Sequence, residues 1–175
     1  MEKEVLKKKK DPREIIKEKG RGIMETIKLR GELQMILRGP DGKIKETRII
    51  KNTITAVGKA LVSGLILTDV GGTACDYIAI GTGTPTATAL GAEITTGGGA
   101  RRGGADVTGT RVTTTTTDDT AQWVTTFTFT AGFAVTEEGI FNAASAGTML
   151  ASQSFAALNV ASGDTLQISH KVCVA

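Results

Sequence analysis

From Ile23 onward apolar residues recur at every second position, and this period constrains the fold more than any other feature of the chain. Ile27, Leu29, Leu33, Met35 and Leu37 share one face of an extended segment, while Lys28, Arg30, Glu32 and Gln34 line much of the other. Successive side chains on a strand point to opposite faces, so the pattern is that of a strand with one buried side. Gly39-Pro40-Asp41-Gly42 then supplies turn chemistry and Lys43 to Lys51 returns. Residues 23–51 are therefore expected as a β-hairpin with a basic outer face.

The same period comes back in the second half. Asp106 to Thr117 and Ala121 to Thr130 should pair across a turn at Asp118-Asp119, with Trp123, Phe127 and Phe129 on one face. Tyr77 to Ile80 reads as a short strand, and further strands are expected at 134–142, 147–157 and 164–174. In the last, Leu166, Ile168, Val172 and Val174 alternate with Thr165, Gln167, Ser169 and Lys171. One segment breaks the rule. Ile54, Val57, Leu61, Val62 and Leu65 recur at three- and four-residue spacing, which predicts a short helix over about residues 54–67 with Asn52 or Thr53 as its cap. Many short strands at turn-marked intervals imply a mainly β fold, a β-sandwich or jelly-roll-like barrel, with no internal repeat of fixed period.

Aromatic residues are 4% of the chain, so its core must be built from Ile, Val, Leu and Ala around Trp123, Tyr77 and five Phe. A thin core gains from burying further surface against copies of itself or a larger assembly. The charge is unevenly divided: residues 1–51 carry 16 Lys and Arg against 9 Asp and Glu, whereas residues 52–175 carry 5 against 9. This predicts three parts: a charged N-terminal arm (1–22), the basic hairpin (23–51) and a β-sandwich body (52–175). The arm is expected to be extended and partly helical, since Asp11 is a good N-cap, Pro12 suits the first helical position and Glu14 the first turn. Leu6, Lys8, Lys10, Arg13, Ile15, Ile16, Lys17 and Arg21 are its candidate partner-binding residues. Glu2, Glu4, Glu14 and Glu18 interleave with its cations, which favours a protein partner over nucleic acid.

The search for chemistry is short. His170 is the only histidine and continues the apolar face of the last strand, so it reads as a core or rim residue. Glu137 and Glu138 are adjacent on a strand, point to opposite faces and cannot flank one bond; one is expected to cap a turn or face solvent. Gly81-Thr82-Gly83 and Gly58-Lys59-Ala60 lack the further residues of nucleotide loops and read as a tight turn and a helix glycine. Thr113 to Thr117 reads as a β-branched strand exposed on one side. Cys75 and Cys173 fit neither a zinc pattern nor C-x-x-C and read as small buried hydrophobes, while a bridge between them stays open. The longest apolar stretch, Ala60 to Leu67, is far short of the roughly 20 residues that cross a bilayer. The N-terminus has no apolar run of a secretory signal, so synthesis in the cytoplasm is expected. No enzyme activity, cofactor, metal or membrane partner is expected.

The order of several short motifs carries a resemblance. Lys51-Asn52-Thr53-Ile54-Thr55, Tyr77 to Gly83, Ala89-Leu90-Gly91-Ala92-Glu93-Ile94, Phe127-Thr128-Phe129, Val135 to Asn142 and Gly147 to Ala151 succeed one another in this chain. Together, over about residues 50–175, they resemble a β-rich structural domain of tailed bacteriophages, found in small decoration proteins and in tail-collar fibre attachment domains. The resemblance implies a virion structural protein: first a capsid decoration (cement) protein that stabilises the head through subunit contacts, alternatively a tail-tip or tail-fibre adaptor. A basic-armed nucleic-acid binder is the remote alternative. The implied partners are copies of the chain itself, by analogy as a trimer, and the major capsid protein or tail subunits.

Overall fold

A computed structural model describes residues 27–66 and 73–175. The charged arm and all eight of its candidate contact residues lie outside the described residues. The described chain forms β1 (Leu29–Arg38), β2 (Ile44–Ile54), α1 (Ala56–Ile66), β3 (Tyr77–Gly81), β4 (Arg102–Gly103), β5 (Thr108–Val112), β6 (Thr120–Thr128), β7 (Phe133–Phe141), β8 (Met149–Val160) and β9 (Thr165–Val174). A single 3-10 turn, Gly104–Asp106, links β4 to β5. The mainly β class with one short helix is as the periodicity implies.

The strands form one curled antiparallel sheet, a half-barrel ordered β4-β3-β7-β8-β2-β1-β9-β6-β5. Its seam is narrow: β2 meets β8 through just two pairs, Thr53 with Ser152 and Ile54 with Ala151. The sheet folds at that seam, so that β5-β6-β9-β1-β2 lies opposite β8-β7-β3-β4, and their inner faces share one core. Leu33, Met35 and Leu37 of β1 join Phe127 of β6, Val135 and Ile140 of β7, Leu158 of β8, and Leu166 and Ile168 of β9 in that cluster. A smaller cluster of Ala79, Leu90, Phe141 and Met149 lies on the outer side of β3 and β7. The hairpin of β1 and β2 stands inside the sheet, between β8 and β9, and is part of the same body.

Two expectations about local structure need correction. The chain stays extended through Ile54 because Thr53 and Ile54 are held by β8, so the helix cap moves to Thr55. The Thr55 hydroxyl accepts the Gly58 N–H at 2.8 Å and reaches the Met149 carbonyl of β8. α1 then approaches β8 at Gly58, where a Cβ would overlap the Leu150 carbonyl. The threonine run is not a strand: β5 ends at Val112, and the Asp119 carboxylate collects the N–H groups of Thr114, Thr115 and Thr116 at 2.8 to 2.9 Å. Three donors on one carboxylate close a turn that β-propensity alone would have kept extended.

Candidate functional site

Glu137 and Glu138 point to opposite faces of β7 as expected, and both are 0% exposed: of the two expected roles, capping a turn or facing solvent, Glu137 takes the first. A bulge between Val135 and Glu137 sets the alternation. Glu138 faces the core, where both carboxyl oxygens lie 3.0 Å from Nδ1 of His170 on β9. The other ring nitrogen of His170 touches the Asn52 amide of β2. Asn52 lies against Gly31, where a Cβ would fall on its side chain, and its Oδ1 is buried without a partner. Trp123 of β6 stands edge-on to His170, 6.4 Å between centroids, and donates its Nε1–H to the Cys75 carbonyl at 2.6 Å. A polar chain thus crosses the core from β2 through β9 to β7 and ties the two halves of the sheet face to face.

Glu137 works outward. Its Oε1 accepts the N–H groups of Gly83 and Ala92 at 3.0 and 2.7 Å, and its Oε2 accepts that of Gly91 at 2.8 Å. The Gly81-Thr82-Gly83 loop therefore spends donors inside the chain, the Gly83 N–H on the Glu137 carboxylate and the Thr82 N–H on the Ala92 carbonyl. Arg101 is spent likewise. It forms two bonds to Glu93 at 2.9 and 2.6 Å, donates to the carbonyls of Ala143 and Ala146, and stacks over Phe141. Arg102 reaches the Gly98 carbonyl and Asp106. Asp164, buried in the β8–β9 turn, accepts Lys45 Nζ at 2.7 Å and the Ala161 N–H at 2.9 Å. The Lys45 hydrogen bond leads in holding its carboxyl below the usual range, opposed by burial and helped by the Ala161 N–H and the Lys45 charge.

Both cysteines are free thiols. Burial, with the Asp76 carboxylate as a lesser cause, pushes Cys75 up to about 12, so it stays protonated and poorly nucleophilic. Cys173 is half-buried on β9. Among the described residues no group of three or more His, Cys, Asp or Glu could hold a metal ion. None of their helices is long and apolar enough to cross a membrane.

What remains open to partners is the outer face of β2-β1-β9-β6, where the register sets residues in cross-strand rows. Lys51, Glu32, Lys171 and Gln122 form one row; Ile49, Gln34, Ser169 and Val124 the next; Thr47, Ile36, Gln167 and Thr126 the third. Ile49 is 59% exposed. The middle rows carry no charge, a surface suited to packing against another protein. The basic outer face expected of the hairpin is confined to the end rows and carries Glu32 among its cations.

A β body whose buried carboxylates are paired within the chain, with an open, largely uncharged sheet face, defines a structural building block. Residues 66–173, from the end of α1 to β9, match the family described as Podophage GP4 fiber I protein gp80, and the chain belongs to that family. It is accordingly a tailed-phage structural protein, a component of the virion. No curated protein matches the chain.

Proposed function

We propose that the chain is a structural subunit of the podophage tail, a tail fibre or the adaptor that joins one, and acts by contact with copies of itself and with neighbouring tail subunits. The family match over residues 66–173 carries this reading, because that family is a fibre protein and the match takes in β3 through most of β9. The tail alternative of the sequence reading thus moves ahead of capsid decoration. The geometry agrees with it: polar side chains that could do chemistry or bind anions are committed to one another inside the body, and the open sheet face is suited to protein contact. No catalysis and no cofactor form part of this role, and nucleic acid is not its partner. Gold-labelled antibody against the chain, viewed on whole particles by electron microscopy, should mark the tail. Label over the head shell would instead return capsid decoration to first place and end the tail reading.

A further inference from the structure

Charges on the outer face of β2-β1-β9-β6 alternate in sign. Lys51, Glu32 and Lys171 stand side by side in one row, and Lys171 Nζ lies 4.0 Å from the Glu32 carboxylate. The two rows that follow carry no charge, and every member of the three rows is exposed or half-buried. β1 and β9, the middle strands of this face, are 10 residues long. Four such strands about 4.8 Å apart, rising about 3.4 Å per residue, make a face of roughly 600 Å². Two of these pressed together bury about 1,200 Å², which reaches the lower end of specific protein interfaces.

The face is complementary to itself. Packed sheets keep their strands within about 30° of alignment, so a two-fold axis relating two copies of one face runs nearly along the strands or nearly across them. An axis across the strands, through the middle row, lays the charged row over Thr47, Ile36 and Gln167 and leaves its charges unmatched. An axis along the strands, between β1 and β9, sets Glu32 over the second copy's Lys171 and Lys171 over the second copy's Glu32. Four charges then alternate at the corners of a square. The same axis opposes Ile49 to Val124, Gln34 to Ser169 and Thr47 to Thr126, each pair occurring on both sides, and no like charges meet in the three rows. Moving the axis onto β1 would oppose Glu32 to its own copy, and moving it onto β9 would do the same to Lys171. Complementary charges fix the register of such a contact, and the isoleucine–valine pairs supply its apolar anchors. Resting on the contact role proposed above, we infer that this face is covered by the same face of a second copy, about a two-fold axis between β1 and β9 that brings Glu32 of each copy onto Lys171 of the other.

Sedimentation equilibrium of the full chain tests the pair. The parent should sediment at the mass of two chains; a monomer or a trimer overturns the inference. Glu32→Lys alone, or Lys171→Glu alone, sets like charges against each other on both sides of the axis and should raise the dissociation constant about tenfold or more. Combining the two restores unlike charges and should bring the constant back to within about threefold of the parent. A single variant without effect, or a double variant no better than the singles, refutes the exchange of Glu32 and Lys171. A second measurement needs no change of charge. In a Cys173→Ser background, chains carrying Gln34→Cys are mixed with chains carrying Ser169→Cys and oxidised mildly. A bridge at the mass of two chains should form in the mixture and in neither chain alone; a bridge in either chain alone, or none in the mixture, overturns the pairing. Failure here is separate from failure of the tail role: gold label on the tail together with a chain that does not pair would end this inference and leave the tail subunit standing.

Discussion

His170 and Glu138 satisfy each other in a place water does not reach, so the loss of either leaves a buried polar group alone. His170→Ala should cost about 1–3 kcal/mol from the stranded carboxyl group, with a cavity penalty on top. Urea unfolding should show the loss, and the double variant His170→Leu with Glu138→Leu should recover part of it, since the carboxyl is no longer stranded while the Asn52 amide still lacks its His170 partner. Asp164 gives a pH signature. Its carboxyl is lowered in the folded state, so its contribution is present above the ordinary carboxylate range near pH 3.9 and fades as pH falls through the lower folded value. Thermal unfolding followed from pH 6 downward should show a shallower acid slope in Asp164→Asn than in the parent protein; equal slopes would deny the Lys45 contact this role. The place of His170 on an apolar face and the opposite facing of Glu137 and Glu138 were legible beforehand. The glutamates' partners were not, because Gly83, Gly91, Ala92 and His170 are dozens of residues away and pairing at that distance leaves no local pattern.

At the scale of elements, α1 shows two effects in competition. Alanine is a better helix former than glycine by about 1 kcal/mol, so propensity alone says that Gly58→Ala should stabilise. The Leu150 carbonyl occupies the space the methyl group would need, and overpacking of this kind costs about 1–3 kcal/mol. The clash should win, and calorimetry of Gly58→Ala should show a lower Tm; a raised Tm would mean that α1 can lift away from β8 freely. The extents of strands were legible from alternation and turn residues, as β1, β6 and β9 show. The helix start and the threonine loop were not. β8 overrode the helix start by holding Thr53 and Ile54 extended, and the nearby Asp119 carboxylate overrode the strand by taking the N–H groups of Thr114 to Thr116, each against a preference worth at most about 1 kcal/mol.

For the whole molecule, the proposed tail role makes the open sheet face the surface on which neighbours would dock. Ile49→Asp should leave folding stability within about 0.5 kcal/mol, as befits an exposed position. It should also weaken self-association by about tenfold or more, since burying an isoleucine at an interface is worth roughly 1.5–3 kcal/mol. Sedimentation across a concentration range would read both the association and its loss; an unchanged association would remove this face from the assembly surface. The amino-acid order by itself determined the two-residue period, the turns and the single helix, and through the succession of short motifs the kinship with tailed-phage structural proteins. Those are local properties, written in which side chains neighbour which along the chain. Only the tertiary structure decided that the sheet folds at a two-pair seam and that a histidine and a glutamate meet across the core. Such outcomes depend on which distant faces are brought into contact, and that is settled by packing and hydrogen-bond satisfaction over the entire core.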